Sequence, residues 1–259
     1  MNESIKVIKI GGNVIDNPEA LQSFVKDFAK VGGPKILVHG GGKEATRLSA
    51  RLGIETQMIN GRRVTDRDTL DIVTMVYAGL INKRIVALLQ AEGCDAIGLS
   101  GADGNVIKAV KRPATPVDYG FVGDISTENI NTPFIAHLLE HGLTPVFCAI
   151  NHDATGNLLN CNADSVASAV AIACSRLFET NLTFCFEKAG VLSDINDEKS
   201  VIRCISSSNF DRLRSDGTIN GGMLPKVENA FKAISEGVHS VTIKSSDALL
   251  LDEGSVIRK

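Results

Sequence analysis

The sequence predicts an α/β protein, a mostly parallel open sheet covered by helices. Short apolar runs of strand length (residues 5–10, 35–38, 144–150, 182–186 and 238–244) alternate with segments whose apolar residues recur at helical spacing. Glycine-rich turns, Gly11-Gly12 and Gly40-Gly41-Gly42, stand where a strand hands over to the next element. A chain of 259 residues is long enough for one large α/β domain or two lobes with ample core.

Ile5 to Ile10 reads as the first strand, with Lys9 embedded near its end. A lysine inside a buried strand is costly unless an anion meets it. Asn17-Pro18 supplies an N-cap and a proline at the first helical position, and Leu21, Phe24, Val25 and Phe28 form the apolar stripe of that helix. Lys35 to Val38 is a second strand feeding His39 and the triple-glycine turn. The helix after it carries Ala45, Leu48 and Leu52 and stops at Gly53. Asn60-Gly61 within Thr56 to Thr65 is a strong hairpin signal, so Arg62 and Arg63 follow a tight turn. A helical pattern runs from Asp66 to Glu92, long enough for part of it to serve a subunit interface.

Asp95 to Leu99 is read as a strand, Ser100 to Asn105 as a turn, and Val106 to Val110 as the returning strand of one ribbon. Lys111 to Thr132 is loop-rich. Thr132-Pro133 opens a helix that ends before Gly142, and Thr144 to Ile150 is a strand. Asn160-Cys161-Asn162-Ala163-Asp164 runs into an alanine-rich helix. Its three polar side chains, at two-residue spacing, point to one face if the chain is extended, which suits a site; Asn162 or Asp164 is equally suited to capping the helix. Leu182 to Phe186 is a strand, a short helix is expected near Asn209 to Arg214, and Pro225 to Glu236 is a helix before the strand Val238 to Lys244. A soft boundary at residues 176–181 separates two lobes.

Composition narrows the function. The net charge of −3, with no long basic run, argues against nucleic acid as a partner. No apolar stretch approaches a membrane span and no basic-then-apolar leader opens the chain, so cytoplasmic residence is the default. The six cysteines contain no C-x-x-C pair and read as reduced core residues. His137-Leu138-Leu139-Glu140-His141 matches a metalloprotease spacing, but the apolar residues around it take the buried face and leave both histidines on the wet side, so no metal site is expected. His39 reads as a structural histidine bonded to nearby backbone.

Two lysines stand out. Lys9 is buried in a strand, and Lys226 lies in the first turn of a helix, where positive charge is unfavourable. Gly221-Gly222 before it lets backbone approach a ligand closely. Both lysines suit a phosphate, and the turn Gly40-Gly41-Gly42 suits an anion or is a plain tight turn.

Ile8-Lys9-Ile10-Gly11-Gly12, Val38-His39-Gly40-Gly41-Gly42, Asn60-Gly61-Arg62-Arg63-Val64-Thr65, Gly98-Leu99-Ser100-Gly101, the Asn160 to Asp164 stretch and Gly221-Gly222-Met223-Leu224-Pro225-Lys226-Val227 occur in an order and spacing that resemble the amino acid kinase family. The resemblance spans essentially the whole chain and is nearest to members that phosphorylate an N-acylglutamate. It implies a three-layer α/β/α sandwich, with residues 1–178 binding acylglutamate and forming a homodimer, and residues 179–259 binding ATP. The implied reaction moves the ATP γ-phosphoryl group to the side-chain carboxylate of N-acyl-L-glutamate in arginine biosynthesis, acetyl by default and succinyl as the variant. Mg²⁺ would be held mainly through ATP phosphates and water.

By motif position, Lys9 and Lys226 would neutralise the phosphoryl group and Asp164 would hold both ammonium groups. Gly11, Gly12 and Gly41 would offer backbone N–H groups, and Arg63 would pair with a substrate carboxylate, helped by Gly42 and Asn160. Glu187, Lys188, Gly190, Leu192, Thr218 and Asn220 fall where the family binds adenine and ribose. The chain departs from the usual family pattern at Phe186-Glu187, commonly a small hydroxyl residue then Asp, at Asn220, at Ala102, and at Ile150-Asn151-His152. Its start at the first strand, without the extra N-terminal helix of arginine-inhibited hexameric relatives, leads us to expect a dimer without that feedback. The rival readings are a kinase of carbamate, aspartate or glutamate, and an inactive ligand-binding sensor.

Overall fold

The computed structural model describes residues 4–194, 196–219 and 223–259. In chain order its elements begin with β1 (Ile5–Ile10), α1 (Gly12–Asp16), α2 (Pro18–Lys30), β2 (Lys35–His39) and α3 (Gly42–Arg51). The hairpin β3 (Met58–Ile59) and β4 (Arg62–Arg63) precedes α4 (Arg67–Thr74), a π-helical stretch (Met75–Ile81) and α5 (Asn82–Ala91). There follow β5 (Ala96–Leu99), β6 (Ile107–Lys111), β7 (Gly123–Ile130), α6 (Thr132–Glu140), β8 (Thr144–Phe147), β9 (Ile150–His152), β10 (Leu158–Asn160) and α7 (Ala163–Ser175). The last are β11 (Thr180–Phe186), β12 (Cys204–Ser206), α8 (Ser207–Ser215), α9 (Leu224–Ser235), β13 (Ser240–Ser245) and β14 (Ser255–Arg258).

One eight-stranded sheet, in the order β12-β14-β13-β11-β1-β2-β8-β5, contains strands from both sides of residue 178. Its pairs are parallel except β13 with β14. Side chains alternate across it. Ile5 and Val7 join the core under α6, α7 and α9, whereas Ile8 and Ile10 join the core with α2, α4 and α5. Helices therefore cover both faces, the three-layer α/β/α sandwich that the family resemblance implies.

Local chemistry explains several boundaries. Asn17 accepts hydrogen bonds from the backbone N–H groups of Glu19 and Ala20 and so caps α2. At the other end Lys35 donates to the carbonyls of Phe28, Ala29 and Val31 at 2.7–2.8 Å, which explains a buried lysine with no carboxylate beside it. Asn60 and Gly61 both take positive φ, 50° and 74°, the turn their sequence demands.

The structure corrects four expectations. β6 does not return beside β5 as one ribbon: it joins β7, β9 and β10 in a separate four-stranded sheet. The run Thr144 to Ile150 is divided, β8 staying in the main sheet and β9 leaving for the small one. The segment taken as loop contains β7, whose alternation is masked by its polar residues Asp124, Ser126, Thr127 and Glu128. The helix from residue 67 to 91 is interrupted by the π-helical stretch. This last helix is also long and apolar enough to cross a membrane by length and composition, but its Leu70, Val73, Val76, Ile81, Ile85 and Leu89 are buried in the core. It is a core helix.

Candidate active site

Alternation along the central strands builds the site. Val7 and Lys9 on β1 and Leu182, Phe184 and Phe186 on β11 point to the face covered by α7 and α9. Both helices begin there, placing Asp164 in the first turn of α7 and Lys226 in the first turn of α9. Lys9 Nζ lies 2.7 Å from Asp164 Oδ1. The direction of approach misses hydrogen-bond geometry, so that buried oxygen has an ionic partner but no hydrogen-bonded one among the described residues. Lys226 makes no ion pair within 4 Å among the described residues; its Nζ rests 3.7 Å from the centre of the Phe186 ring. Burial pulls its ammonium below the ordinary lysine range and Lys9 adds to this, while Asp164 and Glu187 oppose it. Phe186, Asp164 and Lys226 line a cleft of about 480 Å³ between α7, α9 and β7.

Across the N-terminus of α7 lies a second cavity of about 220 Å³, lined by Gly41, Gly42, Arg63, Tyr77, Asn160 and Asn162 among others. The glycine turn starts α3 with Gly41 at the N-cap, and Gly40, Gly41 and Gly42 line the cavity at the positive end of that helix. A methyl group at Gly41 would sit 2.3 Å from Ile81 Cδ1 and 3.0 Å from the Tyr77 ring, so only glycine fits. Arg63 is buried and donates to the Gly42 carbonyl and Thr46 Oγ1 at 2.8 Å and to Thr56 Oγ1 at 3.1 Å. Three of its five N–H donors are thus engaged, and the Tyr77 hydroxyl also interacts with it. Asn160 donates to Thr65 Oγ1 at 3.0 Å, both residues buried.

His39 holds the turn from behind. Its ring is fully buried, which pushes its pKa down to about 4, so it is neutral near pH 7. Nδ1–H donates to the Gly40 carbonyl at 2.8 Å, and Nε2 accepts from Asn82 Nδ2 at 3.0 Å. The same Asn82 amide donates to the Val146 carbonyl at 2.9 Å. His39 is the structural residue the sequence suggested.

A model of the amino acid kinase family matches residues 4–245. The chain belongs to the amino acid kinase family. Acetylglutamate kinase of Bacteroides thetaiotaomicron is 51% identical over 259 residues, 100% of each chain. That of Cytophaga hutchinsonii is 52% identical over 258 residues, 98% of this chain and 97% of the other. The solved structure of smu.665 from Streptococcus mutans superposes with a TM-score of 0.80 at 30% identity, over 98% of both chains.

In this amino acid kinase the structure brings Lys9, Asp164 and Lys226 together, and separately gathers Gly41, Gly42, Arg63 and Asn160. It revises three assignments. The Gly11 N–H donates to the Cys185 carbonyl at 3.0 Å, continuing the β1–β11 ladder, so it is not free for a phosphate; Gly12, which opens α1, has no such bond. Among the described residues Asp164 is within ion-pair distance of Lys9 and not of Lys226, whose ammonium rests on the Phe186 ring instead. Asn160, Asn162 and Asp164 do not share one face, because α7 begins at Ala163 and carries Asp164 to the lysine side. Asn162 caps that helix by accepting from the Ser165 N–H at 3.0 Å.

On the expected nucleotide side, Glu187 and Lys188 are exposed just after β11, and Lys188 Nζ lies 3.4 Å from Glu198. Gly190 is demanded by packing, since a methyl there would meet Ser255 Oγ at 2.7 Å. Leu192 bridges to Val201, and Thr218 follows the turn in which Asp216 accepts from its N–H. Asn220, Gly221 and Gly222 lie outside the described residues. Sequence reasoning missed Tyr77, Thr46, Thr65 and Asn82 as site-building residues. Thr46 lies one helical turn from Gly42, a detectable spacing, but the Thr65–Asn160 contact spans 95 residues and has no local trace.

His39 makes stability depend on pH. Its folded pKa of about 4 lies below the ordinary 6.5, so the unfolded chain binds the extra proton between those values. The contribution is fully present above pH 6.5 and is lost as pH falls toward 4, by ~3 kcal/mol at about 1.4 kcal/mol per pH unit. Urea unfolding across pH 4–7 is expected to show this slope in the wild type and a flatter one in His39→Gln.

Proposed function

We propose that the protein is an ATP-dependent N-acetylglutamate kinase, phosphorylating the side-chain carboxylate of its acceptor in arginine biosynthesis. The observation that carries this reading is the meeting of Lys9, Asp164 and Lys226 beside a cavity built by Gly41, Gly42 and Arg63. Two ammonium groups approach one ring while a carboxylate pairs with only Lys9 of the two, so positive charge is in excess at the starts of α7 and α9. Such a place fits a polyphosphate. Full-length relatives with about half their residues identical carry the acetylglutamate kinase name, which favours N-acetylglutamate over carbamate, aspartate or free glutamate.

The residues then divide the work. Lys9 and Lys226 neutralise the charge of the phosphoryl group being transferred, and Asp164 keeps Lys9 aimed at it. The Gly41-Gly42 amides and the Arg63 guanidinium hold the acceptor's carboxylates, with Asn160 braced by Thr65 beside them. The attacking carboxylate is ionised at neutral pH, so no general base is required. Mg²⁺ would arrive on the nucleotide and supply further charge neutralisation there. Residues 1–178 would bind acceptor and residues 179–259 nucleotide, the latter near Gly12, Glu187, Lys188 and Thr218, in a cytoplasmic enzyme.

The π-helical stretch offers a homodimer contact. Val76, Tyr77 and Ile81 are buried while Met75 and Leu80 stay 54% and 44% exposed. Leu80→Asp is expected to shift a concentrated sample from dimer toward monomer in sedimentation velocity; an unchanged distribution contradicts this contact.

A coupled ADP-release assay tests the activity. Turnover is expected with N-acetylglutamate and, more weakly, with N-succinylglutamate, but not with carbamate, aspartate or glutamate. Activity on an unacylated acceptor alone sinks the proposal. Lys226→Ala should lower kcat by roughly 10²-fold or more with a smaller change in KM for the acceptor, because its charge acts in the transition state.

A further inference from the structure

Phe186 is the residue the mechanism above does not use, yet it touches both lysines. We propose that Phe186 is a positioning residue whose ring holds the Lys226 ammonium, and more distantly that of Lys9, in the cleft until a phosphate takes them. This rests on the kinase reading. The ring closes β11, on the α7 and α9 side, in register with Ser245 of β13. It stacks on Phe184 at 6.0 Å between centres and 12° between planes, so its orientation is set by the sheet. Lys226 Nζ stands 3.7 Å from its centre and Lys9 Nζ 5.3 Å, both within the range over which an ammonium is drawn to an aromatic face.

Charge explains why a ring is useful there. Lys9 has Asp164 at 2.7 Å, but no carboxylate lies within 4 Å of Lys226 among the described residues. A second carboxylate would hold Lys226 more tightly, yet it would compete with an arriving phosphate and repel it. An aromatic face attracts the ammonium without adding a full negative charge. It also excludes water from one side of Lys226, consistent with burial as the main cause of its lowered pKa. The hold is weak enough to be released to a phosphate, whose charge-assisted hydrogen bonds are stronger.

The test is a double-mutant cycle of Phe186→Leu and Lys226→Ala, with Phe186→Tyr as the conservative variant. Steady-state kinetics with MgATP and N-acetylglutamate are read beside calorimetric affinity for a non-hydrolysable ATP analogue, with thermal unfolding confirming that each variant folds. Phe186→Leu is expected to lower kcat/KM for ATP roughly three- to thirtyfold, as loss of a partly desolvated cation–π contact implies. Phe186→Tyr should recover it to within about twofold, since the π face is kept. With Lys226 already alanine, Phe186→Leu should change analogue affinity little. Equal losses in both backgrounds, or wild-type behaviour of Phe186→Leu, overturn the proposal. If the wild type phosphorylates no acceptor, the kinase reading fails, while the calorimetric cycle still decides the role of Phe186.

Discussion

The site depends on a lysine placed where a lysine is expensive. Lys9 lies near the end of a buried parallel ladder, flanked in register by Val38 and Phe184, and is 8% exposed. A charge there needs a partner, because an unpaired buried ammonium costs far more than any hydrophobic contact around it can return. Asp164 is that partner at 2.7 Å, and it can be so only if α7 begins directly over β1. The sharp turn from β10 into α7, the Asn162 cap and the alternation of β1 all serve this one requirement.

The same geometry separates two kinds of binding. Strand ends and helix starts meet on one edge of the sheet, where backbone N–H groups are left over and open α/β folds place ligands. On one side of the α7 start, two lysines gather positive charge around an aromatic ring. On the other, the glycine turn is fixed by His39 and Asn82 behind it and by Tyr77 and Ile81 against it. The cavity of Gly41, Gly42 and Arg63 is thus buttressed by hydrogen bonds and packing, whereas Lys226 rests on an aromatic face. That division suits a reaction governed by positioning and charge neutralisation.

Much of this was legible in the sequence. The buried lysine, the glycine turns, the Asn60-Gly61 hairpin and the polar stretch before α7 each break a local rule of stability, and such breaks mark sites. Less legible was anything decided by contacts distant in sequence. The departure of β6 into a second sheet depends on the turn at Gly101, whose N–H donates to the Ile150 carbonyl. The loss of Gly11 to the ladder depends on Cys185, and the partnership of Lys226 depends on a phenylalanine that sequence alone marks only as a departure. β7 escaped because its polar residues hide its period.

The most direct test of the account is a crystal structure with a non-hydrolysable ATP analogue, Mg²⁺ and N-acetylglutamate bound together. The account predicts the γ-phosphate between Lys9 Nζ and Lys226 Nζ, with Lys226 lifted from the Phe186 ring, Lys9 still paired to Asp164, and the acceptor's side-chain carboxylate arriving from the Gly41 and Arg63 side. A γ-phosphate beyond reach of both lysines, or an acceptor seated elsewhere than the cavity of Gly41, Gly42 and Arg63, would contradict it.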